Sequence, residues 1–330
     1  MGYLFNYVAD RQYGDIADKQ SSWVEPSKAF YDKFCTKKEE MEDAEIAYVR
    51  AHINVELRNS KKVRIDYEDN EITEEANRVV SALNAMNNKH VFIDHTGEPM
   101  VNMYSRIFNE TLFAGGRWFK AAILRIKNKK TKNRLRTTID GESVVEVDFD
   151  CLHISMLSDM IGVSCYFGKD IYYHVLDRQN YNTDNRRLVK MGINICLNAT
   201  SEYKAKCAIN DLIKEQPTDF YCYQDGQQVI DAIYKALPEF KSHFCNKKST
   251  GLALQNKDSW VAHHVIDKFV QMGEPILVVH DSFIVQRKNA DKLVDAMACA
   301  YQKVMNVKRV VNMKMNWLEG DSLQTVDCSK

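Results

Sequence analysis

Val144-Val145-Glu146-Val147-Asp148-Phe149-Asp150-Cys151-Leu152-His153 is the stretch whose pattern decides the fold. Its first half is rich in β-branched residues, which predicts a short strand. The apolar segment Leu152 to Ile161 predicts a helix. Asp148 thus stands at the end of a strand and just ahead of a helix, where ligands bind in many α/β layouts. A second stretch reads Ile276-Leu277-Val278-Val279-His280-Asp281-Ser282-Phe283-Ile284-Val285. Apolar runs flank His280-Asp281-Ser282, so the pattern predicts a hairpin or sharp bend with an Asp at its tip. Two carboxylates at strand ends can clamp a pair of divalent ions that activate an attacking oxygen and hold a triphosphate. Spacing alone leaves that open, because acidic residues at strand ends are common.

Between these stretches lies Asp184-Asn185-Arg186-Arg187-Leu188-Val189-Lys190. On a helix Arg186 and Lys190 are four apart and Arg187 and Lys190 three apart, so all reach one side. Such a stripe suits the phosphates of an incoming nucleotide. A solvated helix face has the same pattern.

Further out, Lys37 to Asn59 is expected to be helix, with Ile46, Val49, Ile53 and Val55 as a partly regular apolar face. Thr73 is expected to cap a second helix holding Val79, Val80, Leu83 and Met86. Asp94 to Pro99 and Gly115-Gly116-Arg117-Trp118 are turn signals. From Lys120 to Arg136 there are eight basic residues and no acidic one. That run is either a solvated basic loop or a phosphate contact. Residues 166–215 are expected to be mostly helical, Asp211 to Tyr223 a polar connection, and Val229 to Leu237 a short helix. Lys241 to Cys245 is expected to be a loop. Asp258 to Gln271 predicts a helix closed by Gly273. Ala290 to Val304 predicts a last helix and Val310 to Trp317 a last strand.

The 330 residues carry 45 basic and 45 acidic side chains, so the formal net charge is zero. Bulk attraction to a polyanion is excluded, but a local basic groove is not. No apolar run is long enough for a membrane span. Met1 to Tyr7 lacks the features of a secretory signal. Nine cysteines without dense spacing fit free thiols in a reducing cytosol better than a disulfide scaffold. The expected location is therefore cytoplasmic, including that of a viral or plasmid-encoded protein acting in a host cytoplasm.

The order of the three charged elements closely resembles the catalytic core of family A DNA polymerases and single-subunit, phage-type RNA polymerases. Val147-Asp148-Phe149-Asp150-Cys151-Leu152-His153 is similar to motif A of that superfamily. Arg186-Arg187-Leu188-Val189-Lys190-Met191-Gly192-Ile193-Asn194 is similar to motif B, and Val278-Val279-His280-Asp281-Ser282-Phe283 to motif C. His-Asp-Ser-Phe looks more like the RNA polymerases. Arg-Arg-x-x-Lys and the preceding Gly168-Lys169-Asp170-Ile171-Tyr172 look more like the DNA polymerases. The region Val310 to Lys314 resembles the strand that closes the palm, and the resemblance spans roughly residues 100 to 320.

The resemblance implies an α+β right-hand polymerase fold with an antiparallel palm sheet, helical fingers and a reduced, thumb-like helical N-terminal lobe. The implied division is 1–100 for that lobe, 101–165 and 249–330 for the two parts of the palm, and 166–248 for the fingers. Asp148 and Asp281 would hold two Mg²⁺ ions, with Mn²⁺ as a substitute. Lys190 would contact the triphosphate and protonate the departing pyrophosphate. Arg186 would bind the terminal phosphates, with Arg187 assisting. His280 would position the primer end or the Asp281 turn. The partners implied are a nucleic-acid template, a primer and nucleoside triphosphates, with no membrane; no helicase or other replication partner is specified.

Departures from the family pattern bear on the product. His153 stands five positions after Asp148, where the DNA enzymes usually have the Glu that helps exclude ribonucleotides. Asn194 and Asn198 stand where aromatic residues are usual. Weak sugar discrimination is therefore expected. No spaced acidic set for a proofreading exonuclease precedes the core. The leading expectation is a small DNA-directed DNA polymerase. An RNA polymerase or primase, an inactive nucleic-acid-binding relative and a metal-dependent nuclease are the alternatives.

Other residues were open to two readings. Cys196, Cys207, Cys222, His243 and Cys245 allow a structural zinc, but their irregular spacing favours free thiols. Tyr104 and Trp118 either stack on bases or pack in a turn. Asp150 shares a strand face with Asp148 by periodicity, and either tunes the metals or is solvated.

Overall fold

The computed structural model describes residues 6–8, 23–25, 53–128, 132–163, 171–176, 180–215, 221–247, 250–309 and 311–328. Residues 37–52, Gly168-Lys169-Asp170 and Val310, on which several sequence expectations rest, lie outside that set. The chain divides into two compact units, Met1–Ile53 and Asn54–Lys330. In the first, β1 (Asn6–Val8) and β2 (Trp23–Glu25) pair antiparallel.

The second unit mixes helices and sheets. It begins with β3 (Val55–Arg58) and β4 (Arg64–Ile65), followed by α1 (Glu71–Asn87). The helix expected through Asn59 is thus corrected over Val55–Arg58. β-branched Val55 suits a pleated surface, and the main chain of β3 finds partners in β4 and, in parallel, in β6 (Ser105–Asn109). The N-terminal part is therefore not purely helical. Asn70, not Thr73, caps α1. The Asn70 side chain accepts from the amides of Ile72 and Thr73, and the Asn70 amide donates to the Thr73 hydroxyl at 2.9 Å, a capping box.

After β5 (Phe92–Ile93) and β6, β7 (Thr111–Phe119) completes a four-stranded sheet in the order β4-β3-β6-β7. Gly115-Gly116 lies within β7 rather than in a turn. Both glycines have positive φ, and the β6–β7 register shifts between Ile107 and Asn109, so the pair builds an irregularity that bends the strand. A Cβ on Gly116 would lie 2.6 Å from the Phe108 ring.

A second sheet is antiparallel throughout. Its order is β10-β11-β9-β12-β13, and β8 joins β9 to β5. Its seven members among the described residues are β5, β8 (Thr138–Ile139), β9 (Glu142–Phe149), β10 (Leu277–Val279), β11 (Ser282–Gln286), β12 (Met313–Glu319) and β13 (Ser322–Asp327). The last strand had no sequence expectation. β9 lies at the centre. Its alternation sends Val145, Val147 and Phe149 into the core, where the Phe149 ring meets Phe283 and Tyr301 at centroid distances of 6.5 and 6.2 Å.

The helices following β9 are α2 (Leu152–Ile161), α3 (Tyr172–Val175), α4 (Thr183–Asn198), α5 (Glu202–Glu215), α6 (Gly226–Ala236), α7 (Thr250–Met272) and α8 (Ala290–Met305). α5 runs on to Glu215, beyond the expected start of a polar connection at Asp211. A 3₁₀ turn occupies Pro238–His243, where part of a loop was expected. Gly192 in mid-helix has a packing reason: a Cβ there would lie 2.8 Å from Val229 of α6. Among the described residues, no helix is long and apolar enough to cross a membrane.

Candidate active site

Strand register brings Asp148 and Asp281 together. β9 pairs with β11 so that Asp148 stands opposite Ser282, and the Phe149 amide donates to the Asp281 carbonyl at 3.4 Å. On the other side of β9, Asp148 stands opposite Lys314 of β12. Asp281 belongs to the two-residue link between β10 and β11. His280 in that link has a φ of 60° and Cys151, between β9 and α2, one of 56°. These are left-handed conformations that few non-glycine residues adopt, and strain of this kind clusters at functional sites.

Burial, and after it the neighbouring carboxylates of Asp281 and Glu146, push the Asp148 carboxyl well above the usual range. The Lys190 ammonium opposes them, so α4 brings Lys190 into the field of Asp148. Asp150 also crowds Asp148 electrostatically, but its Oδ2 accepts from Lys314 Nζ at 2.8 Å. It is thus neither simply solvated nor independent of the site.

The cations of α4 converge as well. Arg186, Arg187 and Lys190 line a cavity of about 500 Å³ with Tyr181, Asn182 and Thr183. Asn182 caps α4 by accepting from the Asn185 amide at 2.8 Å, so the cavity lies at a helix N-terminus. The Arg186 guanidinium sits 4.9 Å from the centre of the Tyr172 ring. Burial, and then Cys151 and Asp150, raise the Tyr172 phenol above its ordinary range, which ties this ring to the turn after β9.

His153 has other company. Its Nε2 lies 2.8 Å from Asp258 Oδ2 and 3.1 Å from Arg117 Nη2. Arg117 also forks onto Asp258, whose side chain is almost completely buried. Burial opposes the Arg117 charge, but Asp258 and Asp281 outweigh it. His280 is held below its ordinary range by burial and then by Arg117. Its Nδ1 is buried without a hydrogen-bond partner among the described residues, and its ring meets Phe119 edge-on at 6.0 Å.

Residues that sequence patterns left unassigned complete this surface. Glu146 is buried and accepts from Ser282 Oγ at 2.8 Å and pairs with Arg134 Nη2 at 2.7 Å. Arg134 belongs to the basic run, so that run is in part internal structure. Lys120 pairs with Glu56, and Arg136 with Asp321 at 2.9 Å. The one signal for Glu146 was its place two residues before Asp148 on the same strand face. Arg117 and Asp258 left no comparable signal, since they meet only through tertiary packing. Tyr104 and Trp118 are core residues rather than a base-stacking surface. Both are buried, and they pack edge to face at 6.3 Å.

The donor set fits a divalent ion only in part. Among the described residues no group of three or more His, Cys, Asp or Glu side chains is arranged to hold a metal. Mg²⁺ is usually held by one or two carboxylates with substrate phosphates and water, a demand that Asp148 and Asp281 match. The described cysteines are free thiols.

No family model and no curated protein matches the sequence. Among solved structures, the chain is similar to the POL domain of Pol1 from M. smegmatis in complex with DNA primer-template and dNTP. The TM-score is 0.39 and the identity 10%, over 77% of this chain and 51% of that one. The chain thus spans about half the length of that structure.

Proposed function

We propose that the protein is a template-directed nucleotidyltransferase, a small DNA-directed DNA polymerase that extends a 3′-hydroxyl with two divalent ions. The observation that carries this is the convergence of Asp148, Asp281 and Lys190, with Arg186 and Arg187 lining a cavity beside Lys190. In this reading the antiparallel sheet around β9 is the palm, α4 to α6 are the fingers, and the N-terminal part grips duplex.

Asp148 and Asp281 would hold the ions, which when bound supply Lewis-acid activation of the attacking hydroxyl and charge neutralisation. Mg²⁺ is the expected ion, with Mn²⁺ as a substitute. Arg186 and Arg187 bind the terminal phosphates of the nucleoside triphosphate, and Lys190 neutralises charge and donates a proton to the leaving pyrophosphate. The Tyr172 ring lies beneath the Arg186 guanidinium and restricts the fork that meets the phosphates. His280 orients the primer end, and the Ser282–Glu146–Arg134 chain keeps the Asp281 turn against β9.

A second reading is an RNA polymerase or primase. One observation favours it: His153 is held by Asp258 and Arg117 where the resembling DNA enzymes place a Glu. Extension of a labelled primer-template with Mg²⁺ separates the two, using all dNTPs, all NTPs and a primer-free lane. Template-dependent extension with dNTPs supports the DNA polymerase. Products with NTPs alone, above all without primer, move the assignment to an RNA-making enzyme. No product with either set, in Mg²⁺ or Mn²⁺, refutes both.

A further inference from the structure

Two thiols outside the proposed active site face each other across a helix end. Cys196 is buried near the C-terminus of α4, and Cys245 is half-buried just after the 3₁₀ turn Pro238–His243. The Cys245 amide donates to the Cys196 carbonyl at 2.6 Å. With ordinary covalent geometry this holds the two Cα atoms within about 6.8 Å even if every intervening bond were collinear. Disulfides span Cα separations of roughly 4.4–6.8 Å, so a bridge needs little backbone movement. The two thiols also interact electrostatically with each other, and Cys245 with the Tyr234 phenol of α6, so the side chains are near neighbours.

These contacts also divide the chemistry between the thiols. The interaction with Cys196, with help from Tyr234, lowers the Cys245 thiol against the burial that opposes it. Cys196 is raised, first by that same interaction and then by burial. Cys245 is half-buried and Cys196 buried, so a peroxide reaches Cys245 first and Cys196 is the resolving thiol.

We propose that Cys196 and Cys245 are a redox pair that a peroxide converts into a disulfide, tying the end of α4 to the segment that leads into α7. The Cys245 thiolate attacks one peroxide oxygen and forms an S–O bond as the O–O bond breaks. This gives a sulfenic acid and releases hydroxide, or an alkoxide from an organic peroxide. The Cys196 sulfur then attacks the Cys245 sulfur. The S–S bond forms, the S–O bond breaks, and the oxygen leaves as water with the Cys196 proton. Each sulfur loses one electron, and the two peroxide oxygens take up both.

The tie has a structural target. A Cβ on Gly251, in the first turn of α7, would lie 2.1 Å from Asn198 Oδ1, so the end of α4 already packs tightly there. Gln255 Nε2 of α7 donates to the same oxygen at 3.4 Å. A disulfide adds a covalent link beside this joint, six residues beyond Lys190.

The test is peptide mapping of the full-length protein under non-reducing conditions after stoichiometric hydrogen peroxide. The expected product is a Cys196–Cys245 cross-linked peptide, lighter by about 2 Da than the two thiol peptides and reversed by dithiothreitol. In Cys196→Ser, Cys245 should instead accumulate a dimedone-reactive sulfenic acid. A wild-type protein whose Cys245 accumulates the dimedone adduct without cross-linking overturns the proposal. So does one in which both residues remain thiols while the exposed Cys299 is oxidised. The wild-type map needs no variant and no polymerase activity, so its outcome is independent of the proposed function.

Discussion

The Ser282 hydroxyl donates to the Glu146 carboxylate at 2.8 Å, a bond that joins β11 to β9 two residues from Asp148 and one from Asp281. Arg134 pairs with the same Glu146 oxygen, Oε1, at 2.7 Å, so one buried carboxylate links β9 to β11 and to the basic run. Replacing Ser282 with Ala should cost about 1 kcal/mol, because Arg134 still satisfies Glu146. Glu146→Leu strands the Arg134 charge and should cost about 3–5 kcal/mol. Urea unfolding of the two variants checks the ordering. Equal losses would mean that Arg134 is not the dominant partner.

Asp281→Asn should abolish nucleotide incorporation while the protein stays folded. Normal incorporation at matched Mg²⁺ would sink the two-metal assignment. Circular dichroism on the same sample separates lost chemistry from lost structure.

Asp148 gives the metal-free protein a pH dependence with a defined sign. Its carboxyl is raised in the folded state, so its favourable contribution is full below the unfolded value and is lost as pH rises through the folded one. In EDTA, Tm should therefore fall with rising pH on this account, and Asp148→Asn should flatten the fall. Added Mg²⁺ should restore wild-type Tm at the high end and do little for the variant. A wild-type Tm indifferent to Mg²⁺ at high pH counts against the carboxylate pair as the ion site.

His263 carries the opposite sign. It is fully buried between Arg106 at 3.5 Å and Glu75 at 3.0 Å. Burial, and then the Arg106 charge, lower it to about 4 from an ordinary 6.5. The neutral ring therefore contributes stability above about pH 6.5 that disappears as pH falls toward 4, up to roughly 3 kcal/mol. Denaturant unfolding at pH 7 and pH 4.5 measures it, and His263→Gln should lose most of the difference. An unchanged pH slope in that variant would assign the effect elsewhere.

Lys190→Ala should lower kcat/KM for nucleotide incorporation by about 10²–10³, the size expected for a lost charge stabiliser at a reacting phosphate. Arg186→Lys keeps the charge but loses the guanidinium over the Tyr172 ring, so it should raise KM more than it lowers kcat. A kcat-only effect in Arg186→Lys would contradict its role at the terminal phosphates. Discrimination between dNTPs and NTPs should stay below about 10³, roughly 4 kcal/mol. Paired single-nucleotide assays read it, and a larger ratio would point to a sugar filter beyond His153.

Local patterns carried far where a residue's role depends on its neighbours in the chain. The β-branched Val144, Val145 and Val147 made β9 legible, because stiff branched side chains suit a pleated surface. The apolar runs around His280-Asp281 likewise made the β10–β11 hairpin legible. Val55–Arg58 carries little local strand signal, because the parallel pairing that holds it comes from Ser105–Asn109, about fifty residues away. Gly115-Gly116 carried a turn composition that β6 converts into an irregular strand. Trp118 was ambiguous for the same reason: an aromatic beside a glycine pair is exposed or buried according to what packs on it.

By itself the sequence determined that Asp148 ends a strand, that Asp281 lies at the tip of a bend, and that Arg186, Arg187 and Lys190 share a helix between them. Only the tertiary structure decided which charges meet. Register places Asp148 opposite Ser282 and Lys314. Packing of α7 against β7 delivers Asp258 to Arg117, and α2 brings His153 to the same carboxylate. The physical reason is range. Hydrophobic period acts over a few residues, whereas electrostatic partnership depends on distance in space and on how much water the fold removes from between the charges.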